Sequence, residues 1–233
     1  MLVALQAPQA LLAVLRGTHL HIPRVRKHAA DALTAISWSD LGRESILKAD
    51  GATTVVRAIK ATRKTDASET PALLTLETLT PMIMCLSNLA LGTAANRQRV
   101  ASTSALPTLL TLLAQSMRYS DMSAAIGTAL SNIVMQDKES LEVLVRSREW
   151  VVVTQALGTV VCHRAESLVV LLDNIASNQD LRPLLPPVTF PQLKALVEGC
   201  DPGYEWMEVA VHCLNIIIPD EERAKLRRDG GGD

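Results

Sequence analysis

Four times along the chain an asparagine stands inside a strongly apolar stretch and is followed by Leu or Ile: SNLA at 87–90, SNIV at 131–134, DNIA at 173–176 and LNII at 214–217. An amide in a helix interior has below-average helix propensity, and buried alone it leaves hydrogen bonds unmet. Its return therefore needs a reason beyond local stability. Asn88, Asn132, Asn174 and Asn215 lie 44, 42 and 41 residues apart, and four of the chain's six asparagines occupy this one slot. Such a period marks a helical solenoid, whose units each carry an apolar face they cannot bury alone and close a continuous core by stacking. An earlier copy, ALTAIS at 32–37, places Ala35 in the slot, after which 53 residues pass before Asn88.

Composition agrees with helices. The 233 residues are 48% hydrophobic but only 3% aromatic, and the apolar mass is mainly Leu, Ala and Val, which suits helical packing better than a β-sandwich. No uninterrupted apolar run reaches the roughly 20 residues a bilayer span needs. A formal net charge of −1 provides no global field toward nucleic acid or an anionic membrane. The expected partners are therefore proteins, with no membrane and with nucleic acid disfavoured. Cys85, Cys162, Cys200 and Cys213 form no C-x-x-C pair and sit among mostly apolar neighbours; they read as reduced, packed thiols of a cytoplasmic or nuclear protein, with no disulfide framework. The first 30 residues carry Arg16, Arg24, Arg26 and Lys27 and no acid before Asp31, as a mitochondrial presequence would. A packed helix is the preferred reading of PQALLAVLRG, because Leu11, Leu12, Val14 and Leu15 share one broad face and the pattern returns in PTLLTLLAQ and PQLKALVEG.

The repeating unit resembles the armadillo-repeat family, whose third helix commonly reads A-L-x-N-L and whose second helix is of the L-P-x-L-x-x-L-L type, after a linker ending in Gly-Ala. ALSNIV at 129–134 and CLSNLA at 85–90 match the third helix, SALPTLLTLL at 104–113 matches the linker and second helix, and ADGATTVVRAI at 49–59 repeats that junction with Gly51. The resemblance covers residues 8–218 and implies an all-α, right-handed armadillo/HEAT-like solenoid of about four to five repeats, the first lacking its first helix. The repeat domain is placed at 1–218 and a polar cap with a flexible Gly tail at 219–233. An exposed apolar N-terminal edge is expected, stacking on another copy by self-association or on preceding repeats. Repeat two carries an insertion at 62–80, rich in Thr and broken by Pro71, expected as a mobile loop with one extra helical turn and as a candidate for phosphorylation.

Helical spacing sorts the third helix into faces. Leu86 and Leu89, Leu130 and Ile133, Leu172 and Ile175, and Cys213 and Ile216 point inward, about 100–160° from the Asn. The Asn then faces the concave groove, where its amide can donate to and accept from the backbone of an extended peptide. The competing reading is a spacing device that ties one repeat to its neighbour, and the two roles are compatible. Residues one turn either side share that face, so the expected peptide-binding set is Asn88, Asn132, Asn174, Asn215, Met84, Leu91, Met135, Val170 and Val211. The family's nuclear-import adaptors pair each such Asn with a Trp one turn earlier, where this chain has Met84, Thr128, Val170 and Val211. A greasier groove follows, suited to a protein or peptide ligand with Leu or Phe anchors. His212 stands in a slot of the last repeat that is normally small.

Catalytic motifs are absent: no G-x-S-x-G, Walker loop, H-E-x-x-H or G-x-G-x-x-G occurs, and no cofactor or metal is expected. His19 and His21 lack a nearby Cys or carboxylate pair, and Cys162 and His163 are neighbours that diverge on a helix. Arg57, Lys60 and Lys64 share one helical face that could hold phosphate, although a solvated convex surface is the preferred reading, and Arg24, Arg26 and Lys27 form a second small cluster just before the helix containing Ala30 to Ile36. The sequence thus reads as a non-catalytic protein-interaction scaffold or adaptor. Two alternatives are an importin-like transport adaptor, for which Glu208 and Asp173 are too few acids, and a structural or RNA-binding subunit of a ribonucleoprotein, for which only the basic clusters speak.

Overall fold

The computed structural model describes residues 2–17, 22–65 and 73–223, and no strand occurs among them. Helices follow in a repeating order. The first unit has α1 (Leu2–Arg16) and α2 (Pro23–Ser37); the second has α3 (Asp40–Lys48), α4 (Gly51–Thr65) and α5 (Leu73–Ala90); the third has α6 (Ala94–Ala101), α7 (Ala105–Ser116) and α8 (Ser120–Val134). In the fourth, α9 (Lys138–Arg146) leads through a 3-10 turn into α10 (Val151–Leu157) and then α11 (Glu166–Ala176). The fifth has only a 3-10 turn, Arg182–Leu184, before α12 (Thr189–Gly199) and α13 (Met207–Ile217). Pro183, Pro186 and Pro187 explain that shortening, since proline removes the N–H a longer helix would need.

Local chemistry sets the helix ends. Ser39 accepts the Gly42 N–H at the start of α3 and Thr93 accepts the Asn96 N–H at the start of α6, both at 3.1 Å, so each caps a helix N-terminus. Gly92 adopts φ 92° between α5 and α6, a left-handed backbone that glycine enters freely. The helices α2, α5, α8, α11 and α13 stack on one another in one ladder, and α1, α4, α7, α10 and α12 in a second. Leu86, Leu89, Leu130, Ile133, Leu172, Ile175 and Cys213 are fully buried between them, as the faces predict, whereas Ile216 is half-buried. Helix α1 is a packed element: Leu12 and Leu15 are buried, and Arg16 donates to Thr54 Oγ1 at 2.9 Å and to the Ala49 carbonyl at 2.7 Å. None of the described helices is long and apolar enough to cross a membrane.

Two expectations are corrected. The insertion at 62–80 is largely helix: Thr62 to Thr65 complete α4, residues 73–80 open α5, and Leu76, Thr78 and Leu79 are buried; residues 66–72 lie outside the described residues. Apolar residues at helical spacing through Leu76, Leu79 and Ile83 override the proline signal, and Pro81 is accommodated inside α5, its carbonyl accepting the Thr34 hydroxyl at 2.7 Å. The cysteines are the second correction. Cys162 and Cys200 form a disulfide with Cα atoms 5.7 Å apart, and only Cys85 and Cys213 remain as buried thiols, both pushed up to about 12 by burial and hence protonated and unreactive. The inference from four reduced thiols to a reducing compartment loses half its basis. In the C-terminal segment, residues 220–223 are helical and 224–233 lie outside the described residues.

The α3–α4 turn leaves no room for a side chain at Gly51, where an added Cβ would meet the Ile46 carbonyl oxygen at 2.6 Å and collide with Ile46 Cγ2. Gly51→Ala should destabilise by about 1–3 kcal/mol, read as a lower urea midpoint. The disulfide closes a loop with a sequence separation of 38, so reduction, or Cys200→Ser, should lower stability by about 3–4 kcal/mol on the chain-entropy account, measured by chemical denaturation with and without reductant.

Candidate functional site

The third-helix ladder gathers the asparagine slots, but not on equal terms. Asn88 on α5 is only 5% exposed, and its Nδ2 donates to Ser37 Oγ on α2 at 3.0 Å. Asn132 on α8 is half-buried and repeats the link one unit on, donating from Nδ2 to Ser87 Oγ at 2.9 Å. Ser37 in turn donates to the Thr34 carbonyl at 2.7 Å, so the first link is a chain of two hydrogen bonds between buried groups. The next link would run from Asn174 on α11 to Ser131, yet neither side chain makes a hydrogen bond among the described residues. At the following step Asp173 precedes the Asn where Ser87 and Ser131 do so earlier, and its carboxylate takes His212 Nδ1 from α13 at 2.8 Å. His212 therefore points outward and does not crowd the stack, while Asn215 is exposed.

The apolar members of the set divide likewise. Met84 is 40% exposed, Met135 37% and Val211 43%; Val170 is half-buried, and Leu91 is half-buried in the turn after α5. A depression of about 390 Å³ between α8 and α11 brings together Thr128, Asn132, Met135 and Val170, with Ser131 and Glu166 at its wall. Met84, Leu91, Asn174, Val211 and Asn215 do not line it. Arg164 borders it too, but is held by Asp121 at 2.9 Å.

Other candidates fare differently. His19 and His21 lie outside the described residues. Cys162 is disulfide-bonded and offers no thiol to His163. The cluster of Arg24, Arg26 and Lys27 is corrected: Arg26 is 2% exposed and donates to Thr62 Oγ1 at 2.6 Å, with burial lowering its pKa, and Lys27 pairs with Asp31 at 2.9 Å. An inward-facing position on α2 explains the loss. Arg57 and Lys60 share a cavity with Arg99, which Lys64 does not line. Sequence alone did not single out Ser37 or Ser87 as amide acceptors; the Ser before the Asn in SNLA was a signal for Ser87, and Ser37 had none.

Solved structures carry the same stack of helices. A designed armadillo repeat protein in complex with the peptide (KR)4 superimposes with a TM-score of 0.73 at 20% identity, over 90% of this chain and 81% of that one. The chain has the armadillo-repeat fold. An engineered protein matches this chain with a TM-score of 0.72 at 18% identity, covering 90% and 80% of the two chains. A further designed armadillo repeat protein gives 0.57 at 15% identity, covering 90% and 99%. At these identities the likeness is one of fold. No protein-family model and no curated protein sequence matches the chain.

Unequal bonding along the armadillo ladder has a measurable consequence. Asn88→Ala removes a buried donor and leaves Ser37 Oγ without it, and should cost about 1–3 kcal/mol. Asn174→Ala should stay within about 0.5 kcal/mol. Equilibrium urea unfolding of both variants checks the contrast, and equal losses would contradict it.

Proposed function

We propose that this chain is a non-catalytic scaffold that holds a segment of a partner protein along its third-helix face, chiefly over α8, α11 and α13. The carrying observation is the depression of about 390 Å³ between α8 and α11, lined by Asn132, Met135 and Val170; Asn174, whose amide has no partner among the described residues, lies outside it, one helical turn beyond Val170 on α11. An unpartnered amide flanked by apolar side chains can fix a peptide backbone while Met135 and Val170 receive its side chains. Asn88 is left out of this contact set, since its burial and its bond to Ser37 give it a link between repeats instead. Asn132 contributes its carbonyl oxygen, its N–H being held by Ser87. Val211 and Asn215 extend the same surface onto α13.

The designed armadillo protein that binds (KR)4 supports peptide binding as something this fold can do. The ligand proposed here differs in character. Of the nearby acids, Asp173 is engaged by His212, leaving Glu166 and Glu208, while Met84, Met135, Val170 and Val211 supply apolar contact. A segment with Leu or Phe anchors suits this face, because methionine adapts to varied apolar shapes. An importin-like role would rest on a basic ligand, and this surface offers it little charge.

Panning a random peptide library against the immobilised chain should yield ligands enriched in Leu and Phe. Asn174→Ala should weaken them by about 1–3 kcal/mol, the loss of one desolvated hydrogen bond, and Val170→Asp should abolish binding, with both variants melting as the parent does. Ligands indifferent to both substitutions, but sensitive to one elsewhere on the surface, would place the binding face wrongly.

A further inference from the structure

A second cavity, of about 470 Å³, lies away from the asparagine ladder, where the α3–α4 turn and α4 meet the end of α6 and the start of α7. Arg57, Lys60 and Arg99 line it together with Ser102 and Ser104, and Asp50 is its one carboxylate. The cations come from two successive repeats and converge on one concavity. Charge in this region is unbalanced from the sequence upward: α4 reads GATTVVRAIKATRKT, with four basic residues and no acid, so like charges face one another at spacings of three and four. Some cations elsewhere are paired, as in Lys48–Glu44, Lys138–Asp180, Arg146–Glu142 and Arg164–Asp121. The three that line this cavity have no carboxylate within ion-pair distance among the described residues. Lys60 Nζ donates to Ser104 Oγ at 2.6 Å, Arg99 donates to the Leu47 carbonyl at 2.8 Å, and Arg57 makes no side-chain hydrogen bond among the described residues.

The geometry points to this cavity as a binding site for a phosphomonoester. A tetrahedral dianion matches the donors on offer, a guanidinium fork from Arg57, a second from Arg99, a point charge from Lys60 and the hydroxyl of Ser104, while Ser102 Oγ donates to the Arg99 carbonyl at 3.0 Å. Two of the cations are already positioned. Ser104, the residue preceding α7, makes no side-chain cap bond to its own helix and instead holds Lys60, while the Leu47 carbonyl holds Arg99 across the repeat boundary. Fixing the donors in advance lowers the ordering cost of binding. Asp50, in a left-handed backbone at φ 57°, opposes the anion and sets an upper bound on its affinity. A cavity of this size is that of a small-ligand site. A nucleic-acid backbone would call for a track of cations along the surface, whereas Arg57, Lys60 and Arg99 converge on one concavity.

The test uses the full chain, isotope-labelled, at constant ionic strength maintained with chloride. Inorganic phosphate is titrated first, then a phosphoserine peptide and its unphosphorylated counterpart, following backbone amide signals. Expected is saturable binding with shifts confined to residues 50–60 and 99–106. Arg57→Gln with Lys60→Gln should weaken it at least tenfold at an unchanged melting temperature, Lys60→Arg should retain it, and Asp50→Asn should tighten it. A phosphoserine peptide that binds more tightly than phosphate assigns the site to a modified protein segment; equal affinities assign it to a free phosphorylated small molecule. Shifts no larger than chloride alone produces, or an affinity unchanged in the double variant, overturn the proposal. Binding restricted to single-stranded RNA, with shifts spread beyond the cavity, also overturns it.

Discussion

The face of each third helix that carries Leu86 and Leu89, or Leu130 and Ile133, is covered by the corresponding helices of its neighbours, and these residues are fully buried as a result. At about 1.5–3 kcal/mol for each large apolar side chain withdrawn from water, such contacts outweigh any single polar feature of the chain. They are non-directional, however, and allow one helix to slide along another. The Asn88–Ser37 and Asn132–Ser87 hydrogen bonds are directional. One reaches from Asn88 to Ser37, the last residue of α2, and the other from Asn132 to Ser87, the residue before the Asn slot of α5; each ties successive helices and so fixes the register at which the apolar faces meet.

Much of this architecture was legible in the sequence because period and face are both written in residue type. The asparagine slot gave the repeat, and the residues two before and one after it gave the buried pair in every copy but the last. Partnering was harder to read. Ser37 lies 51 residues from Asn88, in the copy whose slot holds Ala35, so no local motif announces the pair. The disulfide was hidden for a related reason. Cys162 and Cys200 do not form a short-spaced motif, but their separation of 38 is close to one repeat, and residues one period apart stack in a solenoid. In the insertion, Pro71 and Pro81 drew attention from the apolar spacing through Leu76, Leu79 and Ile83, which tertiary burial rewards more than a lost backbone bond costs.

The candidate surfaces were legible to different depths. Which residues share the asparagine face follows from helical geometry, whereas which amides remain unengaged depends on whether Ser or Asp precedes each Asn and on what the next helix offers. Asp173 and His212 make that difference at the C-terminal end. The basic cavity shows the same limit. Arg57 and Lys60 are neighbours in sequence terms, but Arg99 reaches them only because α6 of the following repeat ends beside the α3–α4 turn.

In a linear array each unit is held by its neighbours, so opening spreads from one unit to the next. The Cys162–Cys200 bond joins the turn after α10 to the end of α12 and so couples the fourth unit to the fifth. Opening of either unit must therefore carry the other with it, exposing the apolar surface of both in one step. The surface bearing Asn174, Val170 and Val211 thus opens cooperatively rather than helix by helix.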